Sequence, residues 1–211
     1  MKALLNVSLF SLALAITACN NGGENKSTAD STATTVDAPM TSTDTSHSTM
    51  NMAPDTATVP LVEKAEAMLS GTYPDTTLLG TAKFTTGKNG KVKMVLDITV
   101  AAKAGKSVAV HLHEHGDCGD NGKMAHGHWN PTNAQHGKWG QGSFHSGDIG
   151  NVKLDAKGKG SVTIETDLWT LGGKWDKNDL GKAVIVHGGV DDFTTQPTGN
   201  AGSRIGCGVI K

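Results

Sequence analysis

Between His111 and Asp148 the chain reads HLHEHGDCGDNGKMAHGHWNPTNAQHGKWGQGSFHSGD, and this stretch holds seven of the protein's nine histidines. Imidazole at that density, closed by a carboxylate, points to the binding of transition-metal ions. His128, His136, His145 and Asp148 supply three imidazoles and one carboxylate, enough to fill the tetrahedral shell of a zinc ion with no position left for water. A site of that kind organises a loop and does not activate solvent. His111 and His113 end the run SVAVHLH. A second ion is expected beside them, and imidazole-only ligation suits copper.

These side chains need a rigid support. On a strand, residues two apart share a face, so Val108, Val110 and Leu112 can fill a core while both imidazoles point away from it, about 7 Å apart along the backbone. Strands are also expected over 77–84, 92–100, 152–155, 161–166, 183–187 and 205–210, where Val, Ile and Thr recur in short runs. Lys88-Asn89-Gly90 provides turn chemistry for a hairpin between the first two of these. The AKGKG segment at 156–160 reads as the turn of another hairpin, joining 152–155 to 161–166. Residues 62–69 fit two elements, because EKAEAML contains good helix formers while Ala65, Ala67 and Leu69 alternate with polar neighbours. Seven or eight short strands, with one long connection bearing the histidines, predict an all-β Greek-key barrel or sandwich. A connection of that length needs something to pin it.

The chain has 211 residues and a formal net charge of −1, which argues against nucleic acid as a partner. Lys2, the apolar run from Ala3 to Ile16, and then Thr17, Ala18 and Cys19 have the layout of a secretory signal peptide. The ending Ile16-Thr17-Ala18-Cys19 resembles a bacterial lipobox, which would place cleavage after residue 18 and lipid on Cys19. An ordinary secretion signal is the alternative, and either exports the protein to the cell envelope, at a membrane, in the periplasm or at the cell surface. Residues 19–60 are rich in Ser, Thr, Asp and Ala without an apolar period, and are expected to form a disordered tether carrying His47. The folded domain is expected over 61–211.

The order His-x-His, His-x-Asn-Pro, His136, His145 and Asp148, followed by VIVHGGVDD and GNAGSRIGCGVI, resembles the copper/zinc superoxide dismutase family over about residues 62–211. The resemblance implies an eight-stranded β-barrel or sandwich, immunoglobulin-like in architecture, with long metal-binding loops. It implies copper at His111, His113, His128 and His187, and zinc at His128, His136, His145 and Asp148, with His128 shared as an imidazolate. It also implies dismutation of superoxide to dioxygen and hydrogen peroxide by copper cycling between two oxidation states. His126 is a rival for the shared ring, but only His128 precedes Asn-Pro. Asp191 is read as the carboxylate that ties a copper histidine to a zinc histidine, or else as a turn residue. Arg204, the sole cation between His187 and Lys211, matches the family's substrate-guiding arginine. Cys118 and Cys207 are expected to pair in an exported protein.

The segment 188–203 contains two aspartates and no lysine, so attraction of an anion falls to Arg204 with Lys123, Lys138 or other lysines. His115 and His126 are left as surface or supporting residues. HEHGDC looks like the secreted bacterial branch of the family and GDIGNV like the eukaryotic one, and a homodimer is left open. The alternative function for the same ligands is a copper/zinc-binding lipoprotein that buffers or delivers metal without turnover.

Overall fold

The computed structural model describes residues 58–72 and 77–211. Every described residue lies in the unit Asn51–Lys211. The expected signal segment, Cys19, most of the expected tether and His47 lie outside the described residues. Among those described, no helix is long and apolar enough to cross a membrane.

Eight antiparallel strands form one sheet: β1 Lys64–Gly71, β2 Leu79–Thr86, β3 Val92–Thr99, β4 Ser107–His113, β5 Gly150–Lys153, β6 Lys159–Thr166, β7 Ala183–His187 and β8 Arg204–Val209. Their order in space is β5-β4-β7-β8-β1-β2-β3-β6, and the sheet curls into a nearly closed barrel. The jumps from β3 to β4 and from β6 to β7 across intervening strands give Greek-key connectivity.

The ambiguous segment at 62–69 is strand. Ala65, Ala67 and Leu69 are buried while Lys64, Glu66, Met68 and Ser70 are exposed, and β1 pairs with β2 along Lys64–Ser70 and with β8 at its far end. Two ladders outweigh a helical propensity that is small per residue. The hairpin around Lys88-Asn89-Gly90 forms as expected, with Gly90 at φ +77° and β2 paired to β3 from Leu79↔Thr99 to Thr86↔Val92.

The second hairpin does not. The turn closes, with Asp155 N–H donating to Lys159 O at 2.8 Å, but β5 pairs with β4 and β6 pairs with β3. The two strands part to opposite edges of the sheet, because the hydrophobic partners of each lie far away in sequence. The turn chemistry is local and says nothing of those partners.

Inside the barrel, Phe84, Met94, Leu96, Val108, Val110, Leu112, Val184, Val186 and Trp169 belong to one core. β4 and β7 are buried on both faces. Their inner residues enter that core, and their outer residues lie beneath the loops 114–149 and 188–203. Outside β7, Ala183, Ile185 and Ala125 pack with Cys207 and Cys118. The Cys118–Cys207 disulfide spans 89 residues of sequence and ties the loop after β4 to β8.

Removing that closure is expected to destabilise the fold by about 2–5 kcal/mol. Urea unfolding of the Cys118→Ala/Cys207→Ala protein should show a lower midpoint and a steeper slope, because the uncrosslinked unfolded chain exposes more surface.

Candidate metal centre

β4 places His111 and His113 on its outer face, where both are fully buried beneath the loops. Strand alternation identifies that face, but not what covers it. Before β5 begins at Gly150, the loop that precedes it takes its place beside β4. Leu112 N–H donates to Gly147 O, Trp129 N–H donates to Leu112 O, and Gly147 N–H donates to Trp129 O, at 2.8–3.0 Å. An isolated bridge, His113↔His128, completes this seam and sets His128 beside the strand. Gly147 is required there, because a Cβ would strike the Leu112 carbonyl. From the next strand β7 brings His187, which alternation sets on the same outer face as Ala183 and Ile185.

Two buried sets result. The ligand atoms of His111, His113, His128 and His187 lie within 4.8 Å of one another, as do those of His128, His136, His145 and Asp148. His128 belongs to both. Its ring lies 3.9 Å from that of His111 and 5.3 Å from that of His136, centroid to centroid.

The second nitrogen of each remaining ring fixes which nitrogen is bare. His113 Nδ1–H donates to His126 O at 2.8 Å, His145 Nε2–H to Ala134 O at 3.2 Å, and His187 Nδ1–H to Gly202 O at 3.3 Å. A carbonyl only accepts, so these nitrogens carry the protons and the opposite ones carry lone pairs. Asp191 does the same for two rings at once, receiving His111 Nε2 on one oxygen and His136 Nε2 on the other, each at 2.9 Å. Left without hydrogen-bond partners are His111 Nδ1, His113 Nε2, His128 Nε2, His136 Nδ1, His145 Nδ1 and His187 Nε2, all buried. His128 Nδ1 meets Asp148 Oδ1 at 2.8 Å, while His136 Nδ1 and His145 Nδ1 approach the same carboxylate at 3.0 and 3.2 Å without alignment for a hydrogen bond. Buried polar atoms are normally satisfied, so six convergent lone pairs call for positively charged ions. Neutral imidazoles with outer nitrogens held by carbonyls and a carboxylate are suitable donors for copper and zinc.

Burial keeps the rings of the imidazole-only set neutral, His111 among them. Burial lowers the pKa of His128 to about 4, against the opposing pull of Asp148, and that of His187 to about 3. Burial also lowers His113 well below the ordinary value, with His128 and Arg204 adding to the effect. For Asp148, burial alone would raise the pKa, but the hydrogen bond from the His128 ring, the nearby His145 ring and hydrogen bonds from two backbone N–H groups hold it far below the usual carboxylate range.

Several contributors carry no sign of their role in the sequence. Asn151 clamps Asp191 through two bonds of 2.8 Å, one to its carbonyl and one from its N–H. Gln196 holds both the N–H and the carbonyl of His136, each at 2.9 Å. Gly199, at φ +64°, passes so close to Asp191 and His136 that any Cβ would collide with both. Residue type signals a ligand, whereas a backbone that must approach closely is hinted at only by glycine, as in GNAGSR.

Arg204 lies beside the imidazole-only set, sharing the His126 carbonyl with His113. Its Nη1 donates to Gly122 O and its Nη2 to His126 O. With Asn121, Lys123, Gly202 and Ser203 it lines an open hollow. Lys123 is exposed and pairs with Asp120 at 3.4 Å.

The family model described as copper/zinc superoxide dismutase matches residues 78–210. Superoxide dismutase [Cu-Zn] 1 of Aquifex aeolicus is 42% identical over 109 residues, covering 49% of this chain and 64% of that protein. The extracellular superoxide dismutase [Cu-Zn] of Caenorhabditis elegans is 35% identical over 153 residues, 70% of this chain and 65% of that protein. The chain thus spans just under two thirds of the length of each of these relatives. Superoxide dismutase [Cu-Zn] of Yarrowia lipolytica is 35% identical, with 70% of this chain and 96% of that protein covered. Among solved structures, the clock protein EA4 superposes with a TM-score of 0.62 at 32% identity, over 72% of this chain and 95% of that one. A double mutant of a SOD-like protein from Bacillus subtilis gives 0.60 at 29% identity, over 68% and 95%. The matched span runs from just before β2 to the end of β8 and takes in both buried ligand sets, and on that match the chain belongs to the copper/zinc superoxide dismutase family.

Proposed function

We propose that this protein dismutes superoxide, with copper held by His111, His113, His128 and His187 and zinc held by His128, His136, His145 and Asp148. The observation that carries the reading is the convergence of unpartnered, buried lone pairs on two points that share one ring. When bound, copper supplies one-electron exchange, accepting an electron from one superoxide and giving it to the next.

The chain's residues do the rest. His128 presents Nδ1 to the set containing Asp148 and Nε2 to the other, so it holds both sets in a fixed relation. When Nε2 is not ligating, it can hold the proton that a reduced oxygen species needs. Asp191 keeps the His111 and His136 rings in one tautomer and orientation. Arg204 has two donors committed to carbonyls, which fixes the guanidinium and leaves its other N–H groups to receive a small anion. Lys123 beside it adds positive charge in the same hollow, where the segment 188–203 offers no lysine.

Export to the cell envelope is the proposed setting, where the enzyme would meet superoxide made outside the cytoplasm. The charged residue, apolar run and Cys19 at the start of the sequence support it, as does the similarity to a relative named extracellular. Lipid on Cys19 would anchor the domain through the tether. Expressed in a bacterium, the full chain should fractionate with membranes, and Cys19→Ala should release it. Intact-mass measurement showing an unlipidated wild-type chain in the soluble fraction would reject the anchor.

Metal analysis joined to a superoxide assay tests the activity. Arg204→Ala should keep both metals while catalysis falls about 10- to 100-fold, the scale of local electrostatic attraction. His128→Ala should abolish activity and lower occupancy of both sets. Full metal content without turnover in the wild type would favour buffering instead.

The metal-free protein should also show a defined pH response. His111, His113, His128 and His187 have folded pKa values below the unfolded value of about 6.5, with His128 at about 4. Between those values the unfolded chain binds more protons, so the stability present above pH 6.5 is lost as pH falls toward 4. Thermal melts of apoprotein across that window should show a steady fall in Tm, and the metal-loaded protein should resist it until the ions dissociate.

A further inference from the structure

A third group of metal-ligating side chains lies outside both buried sets. Glu114, His115 and His126 are exposed, and their ligand atoms lie within 4.8 Å of one another. Two backbone bonds bring them together: Glu114 N–H donates to Gly127 O at 3.1 Å and His115 N–H to Ala125 O at 3.2 Å. The His115 and His126 rings are 4.4 Å apart, centroid to centroid. His126 has φ +61°, a conformation that glycine adopts freely and a histidine does not. Strain of that kind at a residue with a ligating side chain is a pointer to use rather than to packing.

We infer that Glu114, His115 and His126 form a third, solvent-facing site for a borderline divalent transition-metal ion of the zinc class. Two imidazoles and one carboxylate supply three ligands, and exposure leaves the remaining position to water. The nearby cations do not occupy the ligand atoms. Lys182 Nζ donates to the backbone carbonyl of Glu114 at 3.1 Å, and Arg204 Nη2 to the backbone carbonyl of His126.

The position of His126 couples this site to the buried one. Its carbonyl accepts both from His113 Nδ1 and from Arg204 Nη2. An ion gripping the His126 ring therefore steadies the peptide group that orients a buried imidazole and the Arg204 guanidinium. It also adds positive charge beside Arg204. The inference goes beyond the dismutase reading and does not depend on it.

Zinc alone is the probe. Full-chain protein and the His115→Ala/His126→Gly variant are saturated with zinc under identical conditions, dialysed and analysed for metal, and binding is followed by calorimetry. The wild type should hold one equivalent more than the variant, and Glu114→Gln should weaken binding of that equivalent by at least about tenfold, the scale on which even an outer partner of a ligand matters. His115 is exposed and glycine accepts the backbone of position 126, so the variant should fold. Ring-nitrogen NMR of the wild type gives a readout that needs no variant: the His115 and His126 signals should shift as the last equivalent enters. Equal zinc content in both proteins, or those two rings unmoved by added zinc, would overturn the inference.

Discussion

An imidazole nitrogen buried without a partner costs on the order of 1–3 kcal/mol, and six of them face one another in this protein. That arrangement governs the molecule. Each bare lone pair is matched on the far side of its ring by a hydrogen bond to a carbonyl or carboxylate. The fold supplies those acceptors from widely separated places: Ala134 and His126 in the long loop, Gly202 before β8, and Asp191 after β7. The barrel is thus the frame on which a set of acceptors can be held against a set of rings.

The division of labour is spatial. The wall made of β1, β2, β3 and β6 contributes core residues and no ligand to either buried set. The wall made of β4 and β7 contributes both, with Val108, Val110, Leu112, Val184 and Val186 inward and three histidines outward. Loops close over the outward face, and their course is set by backbone hydrogen bonds to β4, by the clamps of Asn151 and Gln196, and by glycines where no side chain fits. The disulfide then holds the segment whose carbonyls at Gly122 and His126 fix Arg204. Arg204 and the His113 ring therefore share one anchor in that segment, the His126 carbonyl.

Much of this was legible in the sequence because its chemistry is carried by residue type. Imidazole spacing marks the ligand segments, and alternation marks β4 and its inner face. Asp191 and Arg204 were legible only through family resemblance, since an aspartate in a turn or an arginine on a surface has no signature of its own. The carbonyl acceptors were not legible at all, because every residue has one. The separation of β5 from β6 was hidden for a related reason: turn residues report a local reversal, whereas partner choice is decided by strands dozens of positions away. His115 and His126 looked like spare residues until short backbone bonds brought them side by side.

The burial of β4 on both faces has a further consequence. In most sheets one side of a strand meets water, and sliding the pairing by a single position turns its apolar groups out to solvent and its polar ones inward. Here the same slip would drive His111 and His113 into the interior of the barrel and turn Val110 and Leu112 toward the ions' side. Two unrelated demands, oil on one surface and nitrogen on the other, forbid it together, so the alignment of this strand is the least negotiable decision the folding chain makes.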